Sequence, residues 1–231
     1  KNFYTGKYKK STAKGAVFSN NPKTDDIRLS GTLAALAGLE HAVQLGNDLE
    51  KDLACRRIAM MHAVILAYGG LPMLYYGDEL GSMNDYTYVQ EDDKAYDNRW
   101  MHRPIMNWKA AEKRNDPESV QGYIFNSLKH LIQLRKESPE FADRNSISWE
   151  ESGNDSVLSF LRWDDEGRRT LVLANFSPEG QRLHLDVIRR CGLQIDNVVD
   201  RITKATSLVK EDDYFELGAY QCVYLSEDTS A

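Results

Sequence analysis

The chain has 231 residues, a formal net charge of -6 and 42% apolar residues, enough to bury a proper core in one large domain or two small ones. The acidic balance excludes the basic faces that nucleic acid and anionic membranes select. The densest basic run, "GKYKK" near the start, reads as a solvated loop.

The N-terminus "KNFYTGKYKK" carries no signal-peptide core and opens on Lys1 rather than Met, so the chain is expected to be cut, processed or truncated there. Residues 1 to 29 are rich in Lys, Asn, Gly, Ser and Pro. Scattered aromatics such as Phe3, Tyr8 and Phe18 offer something to bury, which predicts an irregular but ordered loop. At "RLSGTLAALAGLEHAVQLG" a helix begins, capped by Ser30 or Thr32 and ended by Gly46 or Asn47. A second helix, "DLACRRIAMMHAVILAYGG", is almost wholly apolar after Arg57 and is expected to be buried on most sides, with Gly69-Gly70 as its stop.

The run "PMLYYG" follows, and its continuous apolar character predicts a parallel strand covered on both faces. The apolar stretch that spans helix and strand is broken by Gly69-Gly70 and Pro72, short of the roughly 18 uninterrupted residues that a membrane span needs. Residues 80 to 117 form a long loop full of Asp, Asn, Tyr and Trp, a length often tied to function. Asp116-Pro117 opens another helix, with Val120, Ile124, Leu128 and Leu131 at three- and four-residue steps, and Ser138-Pro139 closes it.

After residue 145 the texture changes to short β-type runs, among them "SISWEE", "SVLSFLRWD", "RTLVLANFS", "QRLHLDV", "QIDNVVD" and "YQCVYLSE". Turn signals separate them, which predicts a small antiparallel β-sandwich with a boundary near 140. Cys55, Cys191 and Cys222 are too widely spaced for a disulfide framework or a CxxC metal site. Buried reduced thiols in a cytoplasmic setting are expected.

One parallel strand cannot make a sheet. A (β/α)8 barrel takes about 250 residues, so residues 1 to 140 are too few for one and read as the C-terminal part of something larger. The motif "GGLPMLYYGDELG", residues 69 to 81, resembles the eighth barrel strand and following turn of the α-amylase superfamily, glycoside hydrolase family 13. Together with "FSNNPKTDDIRLSGTLAALAGLE", "DNRWMHRP", "RNDPES" and "LANFS", in that order, it makes nearly the whole chain similar to the amylosucrases, with sucrose hydrolases as close relatives.

That resemblance implies an α/β plus all-β chain. Residues 1–140 would be the end of a (β/α)8 TIM barrel, with part of the loop-7 insertion, strand eight and loop eight, and 141–231 a β-sandwich. It implies a parent enzyme that moves glucose from sucrose to an α-glucan by a retaining mechanism. Retention needs two carboxyls about 5 to 5.5 Å apart and no metal or organic cofactor. In the family these acids follow strands four, five and seven, so they are expected before residue 1, and the "HDD" stretch that marks a third acid does not occur. The expected partners are sucrose, α-glucan and the rest of the parent barrel, with no nucleic acid and no membrane.

Asp78-Glu79 lie where a barrel strand ends, the face on which active sites of this fold sit. Neighbours on an extended segment point opposite ways, and in the family this pair supports loop geometry. Arg99, in "YDNRW", matches the family arginine that closes the bottom of the sugar pocket by pairing with an Asp from an early loop. That Asp is absent here, which would leave Arg99 unpaired, and the bland reading is a loop salt bridge. Arg28, in "DDIRLSG", matches an arginine that contacts the fructosyl ring and acceptor; its alternative is a residue at a helix start paired with Asp25 or Asp26. Asn21 matches an acceptor-groove asparagine, although Ser19 and Asn20 depart from the family pattern. The loop tyrosines and tryptophans read as anchors rather than sugar platforms. His62 reads as a satisfied core residue and His102 as a loop residue, and no histidine has metal spacing. The alternatives are a sucrose hydrolase, or another α-amylase-superfamily enzyme such as a glucosidase or trehalose synthase; "DNRWMHRP" weighs against the second. A reading of another class is a non-catalytic carbohydrate-binding module built on the sandwich.

Overall fold

Residues 16–30 form a β-hairpin where an irregular loop is expected. In the computed structural model, which describes residues 1–24, 26–142, 146–205 and 210–227, β1 (Ala16–Asn21) pairs antiparallel with β2 (Asp26–Ser30). Ser19 lies opposite Arg28 and Val17 opposite Leu29, so Phe18 is the extra residue of a bulge. At the hairpin turn Asn21 Oδ1 accepts from the Lys23 amide at 3.1 Å.

Thr32 caps the next helix, its Oγ1 accepting from the Ala35 amide at 3.2 Å. The single helix expected here is broken in two, α1 (Leu33–Leu36) and α2 (Leu39–Leu45). Gly38 between them has φ +91°, and a Cβ there would meet Thr12 Oγ1 at 2.8 Å, so the break needs glycine. Gly46 ends α2 in the left-handed region, as expected. Helix α3 (Asp48–Tyr68) buries Ala54, Cys55, Ile58, Met60, Ala63, Leu66 and Ala67, and His62 with them. Leu49, Ile65 and Tyr68 on the same helix are exposed.

The strand expected at "PMLYYG" does not form. Leu71 and Met73 are 95% and 88% exposed, and Leu74, Tyr75 and Tyr76 are also exposed. A parallel strand exists only through hydrogen bonds to neighbours, and the described residues supply none for it. The long loop that follows is built of short 3₁₀ turns at Asp78–Leu80, Thr87–Gln90, Asn98–His102 and Glu112–Asn115, with α4 (Trp108–Ala111) before the last. Helix α5 (Val120–Lys136) begins after the expected Asp116-Pro117. Asp116 Oδ1 takes the Glu118 amide at 3.1 Å to shape a turn, and the Ser119 hydroxyl takes the Gly122 amide at 2.9 Å as the cap.

Two compact units result: Lys1–Ile58 with Leu74–Asn126, and Ala59–Met73 with Ser127–Ala231. The strands of the second unit begin at Ile147, and the ends of α3 and α5 group with them. In the second unit a five-stranded antiparallel sheet runs in the order β3 (Ile147–Trp149), β4 (Val157–Trp163), β5 (Arg169–Asn175), β10 (Cys222–Glu227), β7 (Val198–Asp200). A three-stranded sheet has the order β6 (Gln181–His184), β9 (Tyr214–Leu217), β8 (Lys210–Glu211).

Leu171, Leu173, Val223 and Leu225 of the first sheet share one core with Leu183, Phe215 and Leu217 of the second and with Val187 and Ile188 of α6 (Asp186–Arg190). Each such side chain contributes about 1.5 to 3 kcal/mol. The other face of the large sheet also is covered: Tyr224 lies edge-on to Phe141 and donates its hydroxyl to the Ala63 carbonyl of α3 at 2.5 Å. The antiparallel sandwich therefore stands as expected. Cys55, Cys191 and Cys222 are free and buried. No helix among the described residues is long and apolar enough to cross a membrane.

Candidate functional site

Loop and hairpin meet at Asn98. Its Nδ2 donates to the Val17 carbonyl at 2.8 Å and its Oδ1 accepts from Ser30 Oγ at 3.0 Å, so one amide ties both strands of the hairpin to the 98–102 turn. Asp97 begins that turn by accepting the Arg99 amide at 2.9 Å. The same carboxylate then takes the Arg99 side chain: Nε at 2.9 and 3.0 Å, and Nη2 at 2.7 Å. Arg99 is thus paired within the chain, contrary to the expectation that it lacks a partner. Its guanidinium carbon also lies 4.5 Å from the centre of the Phe18 ring, the bulged residue of β1. Hydrogen bonds from the guanidinium hold the Asp97 carboxyl down at about 2.

Arg28 and Asn21 stand on the two strands of this hairpin, both exposed, and among the described residues Arg28 makes no ion pair. Arg28 is a strand residue opposite Ser19, not one at a helix start. Asp25, one partner considered for it, lies outside the described residues; Asp26 pairs in register with Asn21 instead. Asn21 spends its side-chain oxygen on the hairpin turn. Hairpin and turn therefore carry all three sequence-predicted site residues in one unit.

Asp78 and Glu79 sit in a 3₁₀ turn rather than on an extended segment. Glu79 folds back, its Oε2 accepting from the Gly77 amide at 2.8 Å, which is loop support. Burial, and then the charge of Glu79, push the Asp78 carboxyl up to about 6. Beside them His102 lies edge-on to Tyr75 with ring centres 6.2 Å apart. Its Nδ1 is buried without a hydrogen-bond partner among the described residues, and burial followed by the neighbouring Arg103 charge lowers its proton affinity.

The loop is fastened from below by Glu40 of α2, which is 1% exposed. Glu40 Oε1 accepts from Tyr86 Oη at 2.7 Å and Oε2 from the Asn84 amide at 3.1 Å. Asn84 in turn accepts from the Thr32 amide at 2.8 Å and donates to the Lys14 carbonyl at 2.6 Å. Burial drives the Tyr86 hydroxyl up to about 12. Sequence reasoning missed Glu40 and Asn84, whose partners lie more than forty residues apart. It also missed Asp97 and Asn98, although both stand inside the "YDNRW" run that singles out Arg99. Among the described residues no group of His, Cys, Asp and Glu is placed to hold a metal ion.

No protein-family model matches the chain. Over 147 residues it is 29% identical to the glucosylglycerate phosphorylase of Escherichia coli (strain K12), covering 63% of this chain and 25% of that protein. Over 161 residues it is 26% identical to the trehalose synthase of Thermus thermophilus, covering 60% and 16%. A crystal structure of an AmyP variant with maltotriose superposes with a TM-score of 0.57 at 15% identity, over 77% of this chain and 36% of that one. The chain has the fold of the C-terminal part of an α-amylase-superfamily enzyme.

It spans a quarter or less of the length of the two curated relatives named. Leu71 and Met73, in the apolar run after α3, are exposed, and no strand among the described residues pairs with that run.

Proposed function

We propose that this chain is the C-terminal segment of a retaining α-glucosyl-transferring enzyme, and that the parent moves glucose from sucrose to an α-glucan. The catalytic carboxylates of the parent lie outside the chain. In this reading residues 71–76 become the closing strand when the rest of the parent barrel pairs with them. Arg99 limits the depth of the glucosyl pocket, and Arg28 and Asn21 line the acceptor side. The supporting observation is the Asp97–Arg99–Phe18 cluster, because it holds a guanidinium rigid within the long loop, with Nε and Nη2 on Asp97 and Nη1 left to donate outward. A guanidinium binds sugar hydroxyls as well as carboxylates. No metal or organic cofactor enters, since two carboxyls suffice for retention.

The test is fructose and glucose release from sucrose by the parent polypeptide and by this chain alone. The parent releases fructose and lengthens an α-glucan, while the chain stays at the buffer level; sucrose cleavage by the chain itself refutes the reading. A second reading has one observation in its favour, the 29% identity to a glucosylglycerate phosphorylase. There the parent passes glucose to inorganic phosphate. Glucose 1-phosphate formed by the parent from a glucoside and phosphate selects it over glucan synthesis.

A further inference from the structure

The second unit holds a polar cleft of about 640 Å³ that none of the roles above uses. It lies between the turn after α5, the beginning of β5, the residues after α6 and the ends of β7 and β10, all within that unit. Its volume is in the range of small-molecule sites, roughly 300 to 1,000 Å³.

The cleft is built around a carboxylate. Glu140 is 2% exposed, yet lines it. Glu140 Oε1 accepts two hydrogen bonds, from Arg201 Nη1 at 2.6 Å and from Thr170 Oγ1 at 2.7 Å. Oε2 has no hydrogen-bond partner among the described residues. That oxygen faces the cleft, where a hydroxyl brought by a ligand can donate to it. Two further guanidiniums are held in place at the cleft: Arg168 by Asp164 and Glu166, at 2.6 and 2.8 Å, and Arg169 by the Cys191 carbonyl at 3.3 Å.

The lining sets three arginines against four glutamates, with only Pro139, Leu193 and Val199 as apolar contributions. An anion entering it meets the Glu140 carboxylate, and a cation meets the guanidiniums. A fatty or aromatic ligand finds too little apolar wall. What the lining matches is an uncharged molecule dense in hydroxyls, each of which both donates and accepts. We propose that this cleft is a second, non-catalytic site for a short neutral saccharide, of two or three sugar units by its volume. Glu140 takes a sugar hydroxyl on Oε2, and Arg168 and Arg169 donate to neighbouring ring and hydroxyl oxygens. The assignment does not depend on the donor or reaction proposed for the parent.

The experiment is a titration of this chain with maltose, maltotriose and sucrose, followed by backbone amide shifts, with inorganic phosphate and calcium chloride as competing probes. Saturable shifts from a sugar, gathered at Glu140, Thr170, Arg169 and Arg201, are expected. Glu140→Gln should weaken them about tenfold, the scale of one charge-assisted hydrogen bond. Arg169→Ala, at an exposed position, should weaken them several-fold with the fold intact, and it keeps the test decisive if Glu140→Gln unfolds. Absence of saturable shifts at these residues with all three sugars overturns the proposal. So does unchanged sugar binding by Arg169→Ala together with a folded Glu140→Gln, or preferential occupation of the same residues by phosphate or calcium.

Discussion

Arg162 and Arg135 close the C-terminal end of α3 from two elements of the same unit. Arg162, on β4 and fully buried, donates through Nη1 to the Ala67 and Tyr68 carbonyls and through Nε to the Ser146 carbonyl. Arg135, on α5, reaches the Leu66 and Gly70 carbonyls. The last carbonyls of a helix have no partners within it and carry its negative dipole end, so cations suit them. These two arginines fix the point from which the largely exposed run 71–76 departs.

Replacing Arg162 by Met should therefore cost about 3 kcal/mol, because buried carbonyls lose charged donors that water cannot replace. Arg135→Met, at a less buried position, should cost about half of that. Urea unfolding of the two variants checks both. An Arg162→Met protein as stable as the wild type would show that the helix end is satisfied some other way.

Asp78 gives a pH signature with an unusual sign. Its folded-state value, about 6, lies above the ordinary 3.8, so the folded chain binds this proton more tightly than the unfolded chain does. The ionised form opposes folding above pH 6, and that cost fades as the pH falls from about 6 to about 4. Asp78→Asn keeps the acceptor oxygen and removes the charge. It should raise stability at pH 7 by about 1 to 2 kcal/mol, solvent access having reduced the full linkage value. The gain should vanish by about pH 4. Melting temperatures of both proteins across this range decide it, and a difference that does not change with pH rules it out.

Asp97 both begins the 98–102 turn and holds Arg99. Asp97→Ala should loosen that turn, which loses its cap. Amide exchange at 98–102 should then quicken roughly five-fold while exchange in the β-sandwich stays unchanged. Equal exchange in both proteins would mean that Asn98 alone secures the turn to the hairpin.

What the sequence made legible was what neighbours along the chain decide. The Thr32 cap, the Gly46 stop, the apolar helix α3 and the alternating strands of the sandwich all follow from local pattern. The β1–β2 hairpin did not, because "SNNPKTDD" has little strand propensity. It is held instead by Asn98, which reaches 81 residues back to Val17. The helix break at Gly38 depends on how close Thr12 lies, again a distant residue. The opposite error occurred at "PMLYYG", where strand composition is strong but the hydrogen-bonding neighbours are missing. Arg99 forms the loop salt bridge that its sequence allows as an alternative, with Asp97, two residues away, rather than a distant family Asp, as partner. No pattern in the sequence announces the Glu140 cleft, since Glu140, Thr170 and Arg201 come from three separate elements.

Residues 71–76, proposed above as a barrel strand deprived of its neighbours, are read out by hydrogen exchange at the Leu71, Met73, Leu74 and Tyr75 amides. In this chain they should exchange at nearly the rate of an unstructured peptide, and in the full parent polypeptide they should be protected at least as well as the core of α3. Strong protection of these amides in the chain alone, or none in the parent, would contradict the account.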